Sequence, residues 1–424
     1  MFASNNSNFR THAFECIILF IAESEVMMNS YPLDLVTVGG GLGASALAIS
    51  MASQGARVLV LEKERQFRER VRGESLPPWG VAEARKLGIA DLLLKTCANQ
   101  VPWIEMGFGL RNIVETTPQK EPGFTYFHPE MQEALLAEAE RSGAQVRRGV
   151  SVVAVERGAN NAVVVAREAK DERIAARLVV VADGRGSAAR KWAGFTAQKS
   201  SQPFHFAGVL LTGVASREDV LTYLFNPDLG LVVGMVPLTK QRWRAYLGYP
   251  TETGLILQGA EKLEAFLAES KRVAPKVAEA YAEVKSMGPL ATFEGSESWV
   301  THPYRDGVAL LGDAAAISDP TFGQGMSITL RDARVLRDAL LDHSDWAEAG
   351  HHFARQHDVY FHTIRKVCGW FRILFQDPSP EAQDLRERAL FRIADDSSLV
   401  PDHLLSGPDL PADERVRERL FGEC

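Results

Sequence analysis

Residues 34–44, "DLVTVGGGLGA", constrain the fold more than any other stretch. The apolar run breaks into glycines and passes into "SALAISMASQG", Ala-rich with helical spacing, and a second apolar run, "RVLVLEK", starts at Arg57. Strand, glycine turn, helix and strand make a βαβ unit. Gly39 permits the tight turn, Gly41 lets backbone approach a pyrophosphate, and small Ala44 lets helix and strand pack closely. The helix start offers free N–H groups to phosphates. Glu62 closes the second strand 23 residues after Gly39, where an acid accepts from a ribose hydroxyl. The unit predicts a dinucleotide site.

A similar alternation returns at "MQEALLAEAERSG" and "VRRGVSVVAVE", and "NAVVVARE" and "ARLVVVADG" read as further strands. Between Phe204 and Tyr249 the strand candidates crowd together ("HFAGVLLTGV", "LTYLF", "GLVVGMVPL", "RWRAYLGY"), which predicts an antiparallel or mixed sheet inserted into the first fold. A charged helix is expected over Glu261 to Lys285. Then "GVALLGDAA" gives a buried strand, and Met326 starts a long amphipathic helix with Leu330, Ala333, Leu336 and Leu340 on its apolar face. The expected division is an N-terminal extension at 1–32, a discontinuous α/β domain at 33–200 and 286–341, a sheet insertion at 201–285, and a helical region at 342–424. Met27 and Met28 closely precede the first strand, so translation is expected to start at one of them.

Net charge is −7 with acids and bases interspersed, which leaves no electrostatic footprint for nucleic acid or anionic membranes. "CIILFIA" is far shorter than the roughly 20 residues of a membrane span, so no stable insertion is expected. Cys16, Cys97, Cys368 and Cys424 form no Cys-x-x-Cys pair, which suits a reducing cytoplasm. His351, His352, His357 and His362 are mostly spaced by five, off a shared helical face, so no metal site is expected.

Two further small-residue motifs follow the first. One is "ADGRGSAAR", with Asp183, Gly184, Ser187 and Arg190; the other is "LLGDAAAISDPTFGQGMSITL", with Gly312, Asp313, Pro320, Gly323 and Gly325. With the glycine fingerprint, an Asp-Gly motif and a late Gly-Asp motif in this order, residues 33 to about 340 resemble the FAD-dependent aromatic hydroxylases related to para-hydroxybenzoate hydroxylase. The resemblance implies an α/β fold: a Rossmann-like FAD-binding domain, an inserted mixed β-sheet substrate domain and a C-terminal helical region. It also implies a monooxygenase that takes NADPH or NADH, O₂ and an aromatic or polyketide-like small molecule, and hydroxylates through a hydroperoxide at flavin C4a.

The cofactor contacts this implies are Gly39, Gly41, Leu42, Gly43, Ala44, Glu62, Lys63, Arg70, Arg72, His128, Asp183, Gly184, Arg190, Gly312, Asp313, Pro320, Gly323, Gly325 and Met326. Asp313 is similar to the acid on the ribityl chain, and Asp183 and Gly184 to the pair near the diphosphate. Arg72 is expected on the pyrophosphate and Arg70 on FAD or NADPH. His128 stands where the family usually has Arg or Gln; it retains one hydrogen bond to donate. Reduced flavin carries negative charge around N1 and the C2 carbonyl. A helix start there contributes on the order of 1 kcal/mol, roughly 20 mV for a two-electron couple. Phe206, Tyr223, Phe225 and Tyr246 are candidate substrate walls, and no residue is singled out as an acid or base.

Three other readings remain. "GESLPP" at Gly73 to Pro78 is similar to a segment of flavin-dependent halogenases, but their Trp-x-Trp-x-Ile-Pro motif is absent, and no lysine lies between Lys95 and Lys120. A prenyl-chain reductase carries the same fold, and a non-catalytic flavin-binding protein would keep the motifs. The lack of a second Gly-x-Gly-x-x-Gly fold fits transient nicotinamide docking or reduction by a separate flavin reductase.

Overall fold

The computed structural model describes residues 33–158, 161–200 and 204–423. The expected extension, the proposed start at Met27 or Met28, Cys16 and Cys424 lie outside the described residues.

Five parallel strands carry the first layer: β1 (Leu35–Val38), β2 (Val58–Glu62), β3 (Gln145–Arg148), β4 (Leu178–Val181) and β5 (Val308–Leu310). Their spatial order is β5-β4-β1-β2-β3, with Tyr304–Arg305 pairing antiparallel at the β5 edge. Side chains alternate strictly between two cores. Leu35, Val60, Leu178, Val180 and Ala309 pack on one face, and Val36, Val38, Leu59, Leu61, Val179, Val181, Val308 and Leu310 on the other. Both faces of β1, β2, β4 and β5 are covered, which is why these four read as nearly continuous apolar runs, whereas the edge strand β3, QVRR, does not.

One cover is helical. Helix α1 (Leu42–Ala52) is buried along its whole length, and its small residues let it pack between α2 (His128–Arg141) and α3 (Gly325–Asp342). The 30-residue α4 (Trp346–Phe375) packs on α3. The other cover is the antiparallel meander Ser151–Glu156, Ala162–Arg167 and Asp171–Ala176, which contributes Val155, Val164 and Ile174 to that core.

The second large sheet has eight strands, with Phe204–Thr212, Trp243–Pro250, Leu231–Pro237 and Val220–Asn226 adjacent and antiparallel at its centre. It is wider than segment 201–285. Trp103–Met106 joins it parallel to Val220–Asn226, Gly109–Asn112 follows, and Ala291–Glu294 pairs with Phe204–Thr212. The single helix expected over Glu261 to Lys285 is two, Leu263–Val273 and Pro275–Ala280. Ala274 between them is extended (φ −155°, ψ 143°), because the ring of Pro275 disfavours a helical residue before it.

A buried ion pair ties the second sheet to the segment that follows β2. Arg244, on the second sheet, donates from Nε to Glu74 Oε2 (2.7 Å) and from Nη2 to Glu74 Oε1 (3.2 Å) and Glu69 Oε1 (2.5 Å). Arg244 and Glu74 side chains are both fully buried. Burial pushes the Glu74 carboxyl up while Arg244 pulls it back, and the guanidinium stays charged. Removing one partner strands the other, so Arg244→Met is expected to cost about 3–5 kcal/mol in denaturant unfolding. Adding Glu74→Gln to that variant should recover part of the loss.

Candidate functional site

Four sequence signals sit at the carboxyl ends of four neighbouring strands. Gly39 follows β1, Glu62 ends β2, Asp183 follows β4 and Gly312 follows β5. Strand order reverses about β1, and the crevice at such a switch point is where open α/β sheets bind ligands. The ladder continues into the motifs: Gly39 N donates to Leu61 O (2.8 Å), Ala182 N to Val38 O (2.9 Å) and Leu311 N to Val181 O (3.0 Å). Gly39 has φ +100°, and a Cβ there would stand 2.6 Å from Ala182 O. Only glycine fits.

A cavity of about 640 Å³ opens at this edge. Of the expected contacts, Gly39, Gly41, Leu42, Gly43, Glu62, Lys63, Arg70, Arg72, His128, Asp183, Gly184, Gly312, Asp313, Pro320, Gly323, Gly325 and Met326 line it; Ala44 and Arg190 do not. Ala44 is fully buried beneath the turn. The closest approach to the third motif is at Gly43 instead, where a Cβ would fall 2.1 Å from Leu311 Cδ2. Arg190 lies outside the cavity and donates from Nη1 to Ala314 O (3.1 Å), tying the second motif to the third.

Helix α1 begins at Gly41 without a side-chain cap, so its first-turn amides have no partner within the helix. A Cβ on Gly41 would meet nothing nearer than Gln132 Nε2 at 3.9 Å, so space stands open over them. Glu62 is oriented by accepting from Gly40 N (2.7 Å) and Glu64 N (2.8 Å). Arg70 is engaged by Glu64 (2.7 Å). Arg72 has no ion pair or side-chain hydrogen bond among the described residues; burial and then Arg70 push its guanidinium down, opposed by Asp313 and Glu62. Asp183 Oδ2 accepts from Ala189 N (3.2 Å), while Oδ1 is buried without a partner. Burial pushes the Asp313 carboxyl up, with Arg185 and Arg72 opposing.

The third motif is held from behind. Gly312 N donates to Asp332 Oδ2 on α3 (2.8 Å), and Tyr360 OH donates to Oδ1. Asp319 accepts from Thr321 N (3.0 Å) and from Arg372 on α4 (2.7 Å), which fixes the turn at Pro320. Opposite stand Phe206, Tyr223, Val232, Tyr246 and Phe293 of the second sheet. Phe225 is not among them; two residues along its strand from Tyr223, it stacks on Phe375 at 4.6 Å.

The family model described as an FAD binding domain matches residues 33–365. The chain belongs to that FAD-binding family. It is an FAD-dependent oxidoreductase. Rifampicin monooxygenase of Streptomyces venezuelae is 27% identical over 375 residues, 82% of this chain and 73% of that one. The chain spans 54–64% of the length of several other curated relatives. Among solved structures, p-nitrophenol 4-monooxygenase PnpA from Pseudomonas putida has a TM-score of 0.74 at 18% identity, covering 88% of this chain and 96% of that one. The flavin-dependent brominase Bmp2 has a TM-score of 0.74 at 16% identity, covering 92% and 98%. These two likenesses are of fold.

The residues fit FAD. Uncapped amides over open space suit a diphosphate, and Arg72 adds an uncommitted positive charge. Asp313 and the orphaned Asp183 Oδ1 are acceptors awaiting hydroxyl or water donors. Sequence reasoning missed Arg185, which lines the cavity, lies 5.0 Å over the Phe293 ring and donates to Glu294 O. Its signal was present between two glycines of "DGRGS", but its partner strand was not.

His128 spends its one donated hydrogen bond on backbone of the chain itself. Nδ1 lies 3.0 Å from Gly73 O, and a carbonyl only accepts, so the ring's one proton is on Nδ1 and Nε2 is an acceptor. Burial and then Arg72 push its pKa down to about 3. The unfolded chain therefore binds the extra proton below about pH 6.5, so this group lowers stability as pH falls from there to about 3 and contributes nothing above. The His128→Gln chain is expected to lose up to about 1.4 kcal/mol per pH unit less than the parent across that window, read by denaturant unfolding.

Proposed function

We propose that this chain is an FAD-dependent monooxygenase that uses NADPH or NADH and O₂ to hydroxylate an aromatic or polyketide-like small molecule. The observation that carries this reading is the continuity of one cavity. Its dinucleotide side, with Gly41, Arg72 and Asp313, runs into a wall of Phe206, Tyr223, Val232, Tyr246 and Phe293. FAD held there would supply the redox chemistry, namely hydride acceptance from a nicotinamide and reduction of O₂.

The chain's own groups bind and orient. In this reading the α1 amides and Arg72 hold the diphosphate, Glu62 accepts from the adenosine ribose, and Asp313 accepts from the ribityl chain. Gly323 and Gly325 leave backbone bare beside the ring, and the start of α3 stabilises negative charge there. His128 Nε2 accepts one hydrogen bond. The aromatic wall supplies flat apolar contact for an electron-rich ring. Residues 33–200 and 286–341 form the cofactor domain, 201–285 most of the substrate sheet, and 342–424 the helical support.

Halogenation is the second reading, favoured by the fold shared with the brominase. Against it, Lys63 is the one lysine lining the cavity among the described residues, and it stands beside Glu62. No described helix is long and apolar enough to cross a membrane.

Purified holoprotein should oxidise NADPH or NADH faster with an accepted aromatic compound and place one oxygen atom from O₂ in the product. A need for an added flavin reductase, or halide in the product, would favour halogenation. Asp313→Ala should weaken FAD binding by about 1.5–3 kcal/mol, roughly ten- to a hundredfold, in a fluorescence titration of the apoprotein. Unchanged affinity would contradict the ribityl assignment.

A further inference from the structure

Beside the large cavity lies a second one of about 30 Å³. Ser75, Tyr223 and Gly323 line both, so the two adjoin at the turn before α3. The rest of its wall is mainly apolar, with Val101, Ile104, Leu221, Phe322 and Leu405 all buried. No Lys, Arg, His, Asp or Glu lines it. Its polar side chains at the far wall are committed. Gln324 donates to Phe322 O (2.6 Å) and Leu404 O (3.1 Å) and accepts from Trp79 Nε1 (2.9 Å), and Thr321 accepts from Gln376 (2.8 Å).

Size and lining together limit the occupant. One water requires roughly 10–15 Å³ and two to four polar partners, whereas an apolar cavity stays dry and takes small apolar molecules such as xenon. The space suits a diatomic molecule, is too small for an aromatic ring, and lacks the cation that would hold an anion. We propose that this cavity is a holding site for molecular oxygen, which passes between Ser75, Tyr223 and Gly323 into the large cavity. The inference rests on the reading above that O₂ is a substrate.

The test is crystallographic and kinetic. A crystal of the protein under xenon pressure should show xenon among Ile104, Leu221 and Leu405, and Leu405→Phe should abolish that peak. When holoprotein reduced with dithionite is mixed with dissolved O₂, Leu405→Phe should reoxidise roughly tenfold more slowly, about 1.4 kcal/mol of barrier, with FAD affinity unchanged. Ile104→Phe fills the same space from another element and should act alike, which guards against a folding defect in either variant. Absence of xenon, bromide in its place after a bromide soak, or parental reoxidation in a variant whose cavity is filled would overturn the proposal. If xenon binds and reoxidation slows but no compound receives an oxygen atom, the oxygen site stands and the monooxygenase reading falls.

Discussion

The site depends on the parallel register of β5, β4, β1 and β2. Parallel strands end together, and neighbours lie about 4.8 Å apart. Motifs far apart in the chain are thereby set side by side along one sheet edge, each at the point where its strand gives way to a turn. The tightest point is Gly39 against the Ala182 carbonyl, where a side chain has no room. Without that approach β1 and β4 could not carry their turns into one crevice.

What the sheet positions, the helices brace. Asp332 and Tyr360 hold the amide of Gly312, and Arg372 holds Asp319, so both ends of the third motif are tied to the α3 and α4 layer. Arg190 ties the second motif to the third from beneath. The first amides of α1, Arg72, Asp313 and one oxygen of Asp183 stand uncommitted at the cavity, beside Glu62, Arg70 and His128, which are held by neighbours in the chain. Part of the lining is thus fixed in advance and part is spare for a ligand.

The cofactor edge was legible because its signals are local. A glycine turn after an apolar run, an acid at the next strand end and an Asp beside a glycine each carry their meaning within a few residues. Less legible were features that need a distant partner. Strand periodicity does not say that Trp103–Met106 joins a sheet made mostly of residues a hundred positions later. Arg185 stood inside a quoted motif, yet its contacts with Phe293 and Glu294 come from that second sheet. His128 could be placed but its proton could not, because the tautomer follows from the Gly73 carbonyl. The break at Pro275, by contrast, was a local signal outweighed by the charge pattern around it.

The segment that bears Arg70 and Arg72 belongs by sequence to the dinucleotide half, yet its anchors lie on the other sheet. Glu69 and Glu74 bracket it and both grip Arg244, and Tyr246 OH donates to the Arg72 carbonyl between them. Mechanically, these arginines are passengers of the second sheet, so the sheet that supplies the aromatic wall also fixes where positive charge stands in the cavity.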